Sequence, residues 1–190
     1  DVEAATDKGI VVINYPEGNT VAASEHTIAL MMSMVRHIPA ADSSVKNGKW
    51  EKSRLTGKEV FKKTIAIVGF GKVGSRVGSI ARAMGMKVLA YDPFVSRERV
   101  EEMGASYATS LDEIWKSADF ITLHVTKNKD TVNLINEETI KKMKKGVRII
   151  NCSRGGVIDE AALAEAIQSG HVEMAAIDVF EEEPVENSPL

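Results

Sequence analysis

Apolar runs and helix-like segments alternate along the chain from residue 64 to residue 178. Runs rich in Val, Ile, Leu and Ala predict six strands, at residues 64–68, 87–91, 106–108, 120–124, 147–151 and 174–178. These runs are apolar throughout rather than alternating, as is typical of parallel strands that are covered on both faces. Segments with helical spacing separate them. The pattern predicts an α/β fold with a doubly wound parallel sheet of the Rossmann-like kind.

The segment before the first predicted helix is short and mixed in character. Residues 1–8 suit a helix or turn that ends at Gly9, and the apolar residues 10–14 predict a short buried strand. Residue 1 is Asp rather than Met, so we expect the chain to have been cut from a longer protein.

A long apolar helix is predicted next, beginning at Asn19 or Thr20. Pro39 should kink this helix or start a second one that runs to about residue 46. The helix carries apolar residues between Val21 and Ile38, and its Leu-Met-Met run at 30–32 is too apolar to face water comfortably. We therefore expect it to form a two-fold contact, which makes the protein a homodimer.

A glycine-rich turn follows the first strand of the predicted sheet. It reads Gly69-Phe-Gly-Lys-Val-Gly74 and leads directly into a helix. In a dinucleotide-binding turn the first glycine allows the tight turn, the second lets the backbone approach a pyrophosphate, and the third lets the helix pack on its strand. The pyrophosphate then lies at the helix N-terminus, where the dipole favours an anion. A purely steric glycine turn is the alternative interpretation.

An acidic residue at the end of the second strand supports the dinucleotide interpretation. Asp92 lies 18 residues past Gly74, close to the roughly 20 expected for a residue that binds ribose hydroxyls. Its charge would repel a 2′-phosphate, so the predicted cofactor is NAD rather than NADP. The positive charges of Arg97 and Arg99 could weaken the repulsion of a 2′-phosphate. Two solvated surface arginines are the simpler interpretation.

Composition narrows the class of protein. The chain has 190 residues, of which 44% are hydrophobic and 27% charged, and its net charge is −3. These values are typical of a globular domain and argue against a nucleic-acid binder. The single cysteine, Cys152, excludes an internal disulfide, and no metal site is expected from the spacing of possible ligands. The sequence has neither an apolar run long enough to span a bilayer nor a recognisable secretory leader. We therefore expect a cytoplasmic protein that does not bind membranes.

Ligands bind at the carboxyl ends of strands in such sheets, which selects a small set of residues. Arg154 precedes two glycines, and its guanidinium could hold a carboxylate in two-point geometry or could form a surface salt bridge. Cys152 is expected to be a small, half-buried residue rather than a nucleophile. Of the four histidines only His124 lies at a strand end; it could act on substrate or simply bond a neighbouring loop.

Two motifs carry a resemblance to a known family. They are Asn151-Cys-Ser-Arg-Gly-Gly-Val-Ile-Asp-Glu160 and Ala176-Ile-Asp-Val-Phe-Glu-Glu-Glu-Pro184. Together with the glycine turn, and in this order, they resemble the signature of the D-isomer-specific 2-hydroxyacid dehydrogenases. Segments at 14–19, 36–39, 46–50 and 91–93 most resemble the members that oxidise the 2-hydroxyl of 3-phosphoglycerate in serine synthesis.

The resemblance implies a role for each matching residue. Arg154 would hold the substrate carboxylate, Glu183 would pair with the catalytic histidine, and Asn19 would lie near the substrate. Asp178 would face the nicotinamide carboxamide. The full implied set of NAD-binding residues is Gly69, Gly71, Lys72, Val73, Gly74, Asp92, Val125, Cys152, Ser153, Arg154 and Asp178.

The chain departs from the family at two points. Thr126 stands where most members have proline, and the catalytic histidine of the family is expected beyond residue 190. Residues 1–15 are therefore expected to be a remnant of the substrate domain or hinge and residues 16–190 the dinucleotide-binding domain. A sibling acting on glyoxylate, hydroxypyruvate or D-lactate remains an alternative, as does an NAD-sensing module like the corepressors of this fold.

Overall fold

The computed structural model describes residues 1–15 and 17–190, which form helices and strands in the predicted order. The helices are α1 (Val2–Asp7), α2 (Thr20–Val35), α3 (Ile38–Lys46), α4 (Lys72–Ala83), α5 (Arg97–Glu102), α6 (Leu111–Ser117), α7 (Glu137–Lys142) and α8 (Glu160–Gln168). The strands are β1 (Thr64–Val68), β2 (Lys87–Tyr91), β3 (Ser106–Tyr107), β4 (Phe120–Leu123), β5 (Val147–Asn151) and β6 (Val172–Ile177). The six strands predicted between residues 64 and 178 are confirmed, with ends that shift by one or two residues.

The strands form one parallel sheet in the order β3-β2-β1-β4-β5-β6. The chain runs outward from β1 to β3 and then returns to place β4 on the other side of β1. This reversal leaves a crevice at the carboxyl ends of β1 and β4, which is where doubly wound sheets bind ligands. The predicted fold class is confirmed.

Apolar residues cover both faces of the sheet. Trp115, Ile121 and Leu163 belong to the core on one face, and Val77 and Phe120 to the core on the other. Ile121 and Phe120 are neighbours on β4, and both are fully buried because successive strand residues point to opposite faces. This double burial explains why the strand sequences are apolar throughout rather than alternating.

The prediction of a buried strand at residues 10–14 is wrong. These residues form neither helix nor strand, and Val11 and Ile13 are 81% and 85% exposed. Their apolar composition suits a strand, but no described strand pairs with them, and the Ile10 N–H instead donates a 2.9 Å hydrogen bond to the Ala5 carbonyl of α1. The predicted domain boundary at residue 16 falls on a residue outside the described part of the chain.

The predicted long helix is two helices, and the second begins near Pro39, which is one of the two predicted alternatives. α2 ends at Val35, and Pro39 lies in the first turn of α3. Met31 and Val35 of α2 are buried against the sheet, so part of the apolar surface that predicted a dimer is used within the chain. Val21 of α2 is exposed, and further exposed apolar side chains follow at Ile38, Val45 and Trp50.

A group of charged side chains, of which only Arg148 is buried, lies at the amino-terminal edge of the sheet. Arg148 is 6% exposed, pairs with Glu173, and stacks over the ring of Phe120 with its guanidinium carbon 5.0 Å from the ring centre. Lys58 Nζ lies 3.2 Å from the other oxygen of Glu173, Oε1. These contacts hold the segment before β1 against the sheet and leave the carboxyl edge as the open one.

Candidate functional site: the carboxyl edge of the sheet

The three glycines of the turn after β1 have three different environments. Gly69 has φ +91°, and a Cβ there would lie 2.4 Å from the carbonyl oxygen of His124. A Cβ at Gly74 would lie 2.0 Å from the Gly69 oxygen, so helix α4 packs on the turn only because the side chain is absent. A Cβ at Gly71 would meet no described atom within 4 Å. The turn is therefore tight at both ends and open in the middle.

The amino terminus of α4 faces this opening. Gly71 is the N-cap residue and forms no side-chain cap, so the first N–H groups of α4 point towards open space. Lys72 is the first helical residue, and its Nζ lies 3.0 Å from Oε1 of Glu17. Val73 is half-buried and packs against the core, so its contribution to an anion site comes from its backbone.

Asp92 is fixed at the end of β2 by the turn itself. It is 8% exposed, and its Oδ2 accepts a 2.7 Å hydrogen bond from Phe70 N–H while Oδ1 accepts a 2.8 Å bond from Phe94 N–H. Each carboxylate oxygen keeps a further lone pair for a ligand hydroxyl. The carboxylate therefore holds the glycine turn and stays able to bind a ribose.

A cleft of about 300 Å³ joins these features. Gly69, Gly71, Asp92, His124 and Val125 line it, so five positions at three strand ends that the sequence analysis singled out meet here. Sequence reasoning missed its apolar wall, which Tyr91, Leu111 and Leu134 provide. Leu111 is the first residue of α6 and belongs to none of the motifs described above. Its position beside the cleft therefore becomes visible only in the folded structure.

His124 is held in this wall as a neutral side chain. Burial lowers its pKa to about 4, and its Nε2 lies 3.0 Å from the hydroxyl oxygen of Thr122. A histidine with so low a pKa is a weak base at neutral pH. The geometry favours a structural role for His124, although its partner Thr122 lies in β4 rather than in the neighbouring loop that was predicted.

The turn after β5 is organised by Asn151, a residue to which the sequence analysis gave no role of its own. Asn151 Oδ1 accepts hydrogen bonds from the N–H of Ser153 at 3.0 Å and from its hydroxyl at 2.7 Å. Asn151 Nδ2 donates to the Arg154 carbonyl at 3.1 Å. One buried amide thus fixes the two residues that follow Cys152.

Arg154 and Glu183 line a second cleft, of about 440 Å³, together with Ser153 and Lys127. Arg154 is exposed and donates a 2.6 Å hydrogen bond to the Ser153 carbonyl. Glu183 Oε1 accepts a 3.0 Å bond from Phe180 N–H. Both predicted substrate-site side chains therefore lie in one cleft, each bonded to its own segment of backbone.

Cys152 and Asp178 lie close to each other beside helix α2. Burial raises the pKa of the Cys152 thiol, which agrees with the prediction of a half-buried residue without a nucleophilic role. Asp178 Oδ1 lies 3.0 Å from Nε2 of His26, a histidine of α2 that is not at a strand end. Asn19 is exposed at the start of α2, where its side chain forms no capping bond with the described residues, and Thr126 is exposed after β4.

Comparison with known proteins agrees with this geometry. Residues 28–190 match the family model described as D-isomer specific 2-hydroxyacid dehydrogenase, NAD binding domain. The chain is 56% identical over its whole length to the D-3-phosphoglycerate dehydrogenase of Synechocystis, and covers 34% of that protein. In structure it is similar to a glyoxylate reductase from Paecilomyes thermophila, with 34% identity, a TM-score of 0.89, and coverage of 100% of this chain and 57% of that one.

A third similar protein has been solved with ligands. It is the D-lactate dehydrogenase of Aquifex aeolicus complexed with NAD and lactic acid, with 39% identity, a TM-score of 0.84, and coverage of 96% of this chain and 55% of that one. The chain belongs to the D-isomer-specific 2-hydroxyacid dehydrogenase family, whose NAD-binding domain it matches. It spans about a third of the length of the curated relative and somewhat over half of these two structures.

The residues at the carboxyl edge fit the cofactor of this family. The open middle of the glycine turn and the uncapped start of α4 have the chemistry that suits a pyrophosphate, and the buried carboxylate of Asp92 has the chemistry that suits ribose hydroxyls. None of the described helices is both long and apolar enough to span a bilayer.

Proposed function

We propose that the chain is the NAD-binding domain of a dehydrogenase that oxidises 3-phosphoglycerate at its 2-hydroxyl, in serine biosynthesis. The observation that carries this proposal is the cleft that Arg154 and Glu183 share at the ends of β5 and β6, next to the NAD site. The identity of 56% to a D-3-phosphoglycerate dehydrogenase over the whole chain supports this choice of 2-hydroxy acid.

The cofactor is proposed to lie along the carboxyl edge from the 300 Å³ cleft to the 440 Å³ cleft. Its adenosine ribose would meet Asp92, and its pyrophosphate the turn at Gly71 with the start of α4. The nicotinamide half would lie over Val125, Cys152 and Ser153, with Asp178 as the acceptor for the carboxamide. Bound NAD supplies the acceptor for the hydride that leaves C2 of the substrate.

The side chains of the second cleft have complementary roles in this proposal. Arg154 turns from the Ser153 carbonyl to hold the substrate carboxylate through two parallel N–H···O bonds. Glu183 offers a carboxylate in the same cleft, where it can raise the basicity of a histidine that takes the hydroxyl proton. Asn19 is proposed to lie near the substrate at the start of α2.

Calorimetric titration with NAD and NADP tests the cofactor assignment. Because Asp92 is buried beside the glycine turn and negatively charged, NAD should bind at least ~10-fold more tightly than NADP, a difference of about 1.4 kcal/mol. Equal affinities, or a preference for NADP, would contradict the placement of the ribose at Asp92.

We expect the 190-residue chain to bind NAD without turning over 3-phosphoglycerate. Hydride transfer from an alcohol needs a base for its proton, and such assistance typically contributes ~10²–10⁴-fold in rate. His124 is the histidine that lines the NAD cleft, and its pKa of about 4 makes it a weak base. NADH formation would be followed at high protein concentration, with His124→Ala as the comparison. Turnover that depends on His124 would contradict this expectation.

A homodimer is proposed through the α2–α3 region. Ile38, Val45 and Trp50 are exposed, and Trp50, at 83% exposure, borders a hollow of about 300 Å³ that Leu55 helps to line. Apolar groups clustered in this way favour a contact surface. Sedimentation should show a dimer that Trp50→Lys dissociates, and a monomer at high micromolar concentration would oppose the proposal.

The remaining assignments follow from the same proposal. Residues 1–15 are assigned to a hinge or to a remnant of the substrate domain, and residues 16–190 to the NAD-binding domain. Exposed apolar residues such as Val11 and Ile13 suit a segment that another part of a larger protein covers. The single free thiol suits a cytoplasmic location.

A further inference from the structure

Three possible metal ligands from distant parts of the sequence meet beside helix α2. His26 Nε2, Cys152 Sγ and a carboxylate oxygen of Asp178 all lie within 4.8 Å of one another. Within this group the imidazole nitrogen is 3.0 Å from Oδ1 of Asp178. The spacing of neighbouring residues in the sequence could not reveal such a group, because its members lie on α2 and after β5 and β6.

The backbone holds the three residues in fixed relative positions. Cys152 and Asp178 follow adjacent paired strands, and the N–H of Asp178 donates a 3.0 Å hydrogen bond to the Asn151 carbonyl. His26 lies in the second turn of α2, a helix that Met31 and Val35 fix against the sheet. A ligand could therefore bind without the cost of ordering the site.

We propose that His26, Cys152 and Asp178 form a binding site for a divalent transition metal of the Zn²⁺ type. Imidazole, thiolate and carboxylate are the donors that zinc takes in tetrahedral sites, and sites with three protein ligands keep a fourth position for a solvent molecule or other ligand. The His26 and Asp178 side chains are each 47% exposed, which leaves that fourth position open to water.

Metal binding at this site has a defined charge and proton balance. Burial raises the pKa of the Cys152 thiol, so the free site holds a protonated thiol at neutral pH. The thiol proton is released to solvent when the metal–sulfur bond forms. The thiolate and the Asp178 carboxylate then carry two negative charges that balance the divalent ion.

The location of the site predicts competition with NAD, a point that rests on the proposed function. Cys152 and Asp178 are the residues assigned there to the nicotinamide half of the cofactor. A metal ion held between them and His26 would exclude the nicotinamide ring. ADP-ribose lacks that ring, so it should bind together with the metal at the adenosine and pyrophosphate positions.

Cobalt titration of the full 190-residue chain tests the site, because Co²⁺ replaces Zn²⁺ and reports its ligands by absorption. The wild type should develop a near-ultraviolet thiolate-to-cobalt band and intense visible bands of tetrahedral Co²⁺, and added Zn²⁺ should abolish both. Cys152→Ser should lose the thiolate band. His26→Gln and Asp178→Asn should weaken binding at least ~10-fold, whereas His171→Gln, a histidine at the opposite edge of the sheet, should leave it unchanged.

Circular dichroism of each variant establishes that it is folded before its titration is interpreted. The absence of a thiolate band in the wild type would overturn the proposal. So would a band that His26→Gln and Asp178→Asn both leave at wild-type strength, because the metal would then bind the thiol without the other two residues.

A competition experiment separates this inference from the proposed function. NAD should displace Co²⁺ at least ~10 times more effectively than ADP-ribose does. Equal displacement by the two would overturn the shared location. If NAD failed to bind the metal-free chain in the calorimeter while the cobalt band formed normally, the proposed function would fail and the metal site would stand.

Discussion

The two halves of the carboxyl edge are built in different ways. The half around β1 and β2, called here the finished half, is fully packed and hydrogen-bonded. Gly69 and Gly74 are packed against backbone, and Asp92 is buried with both oxygens bonded to N–H groups. In the half around β5 and β6, Arg154 and Glu183 are exposed and bonded to their own turns.

The difference follows from where the residues of each half come from. A single continuous segment, residues 64–92, supplies the glycine turn, helix α4 and the acid of the first half, and further contacts come from the His124 carbonyl and the Phe94 N–H. The other half collects side chains from α2, from the turn after β5 and from the segment after β6. We infer that the first half determines NAD affinity in this chain and that the second contributes mainly when substrate is bound.

The largest expected effect of a single substitution is at Gly74. A Cβ there would lie 2.0 Å from the Gly69 carbonyl oxygen, and neither backbone segment can move without opening the turn. Gly74→Ala should lower the free energy of unfolding by about 3 kcal/mol or more, since overpacking against backbone is costly. Urea denaturation measures this change. A loss below 1 kcal/mol would show that the turn is not packed as described.

The second expected effect is a loss of stability in mild acid through His124. Its folded pKa of about 4 lies below the 6.5 of an unperturbed histidine, so the unfolded state binds the proton first as the pH falls. Stability from this group is complete above pH 6.5 and declines as the pH falls towards 4. The expected loss between pH 7 and pH 5 is about 2 kcal/mol.

The free energy of unfolding of His124→Asn, measured by urea denaturation at the two pH values, is the control for this effect. The variant has no titrating ring, so it should lack this part of the pH dependence. An identical pH dependence in wild type and variant would contradict a buried neutral His124.

The third prediction is that a substitution at Gly71 weakens NAD binding while it changes the stability of the fold only slightly. Its φ of −71° and ψ of −156° are open to alanine, and a Cβ there would meet no described atom within 4 Å. Gly71→Ala should change stability by no more than about 1 kcal/mol but weaken NAD binding at least ~10-fold, because the methyl group occupies the path of the pyrophosphate. Unchanged NAD affinity would place the pyrophosphate elsewhere.

The smallest expected effect is at Arg154, in the open half. Its side chain is exposed and bonds its own backbone, so Arg154→Ala should change stability by less than about 0.5 kcal/mol. NAD affinity should fall by less than about 3-fold, because the guanidinium is assigned to the substrate carboxylate. Calorimetry of the variant checks this, and a loss of 10-fold or more would mean that Arg154, which the resemblance also places among the NAD-binding residues, acts mainly on the cofactor.

The sequence predicted the finished half well because its signals are local. The glycine spacing, the apolar strand and Asp92 lie within thirty residues of each other, and each has a direct steric or electrostatic reason. The same holds for Pro39, whose ring fits the first turn of α3.

The remaining features depend on contacts between distant residues. Val11 and Ile13 have strand propensity, but propensity alone cannot supply a neighbouring strand. The contact of His26 with Asp178 joins α2 to the end of β6, and no spacing in the sequence indicates it. Burial likewise determines the low pKa of His124, whereas only its position at a strand end could be predicted from the sequence.

The two backbone bonds that Asp92 accepts constrain any redesign of the cofactor preference. Replacing this aspartate by a small neutral residue would remove the charge that repels a 2′-phosphate, but it would also leave Phe70 N–H and Phe94 N–H without their acceptor. Phe70 is buried, and a buried N–H left unpaired costs about 1–3 kcal/mol, whereas Phe94 is 94% exposed and its N–H can bond water instead. A successful exchange to NADP would therefore need a second substitution that supplies new acceptors to the turn, and libraries that vary position 92 alone should yield variants in which NADP binding rises as stability falls.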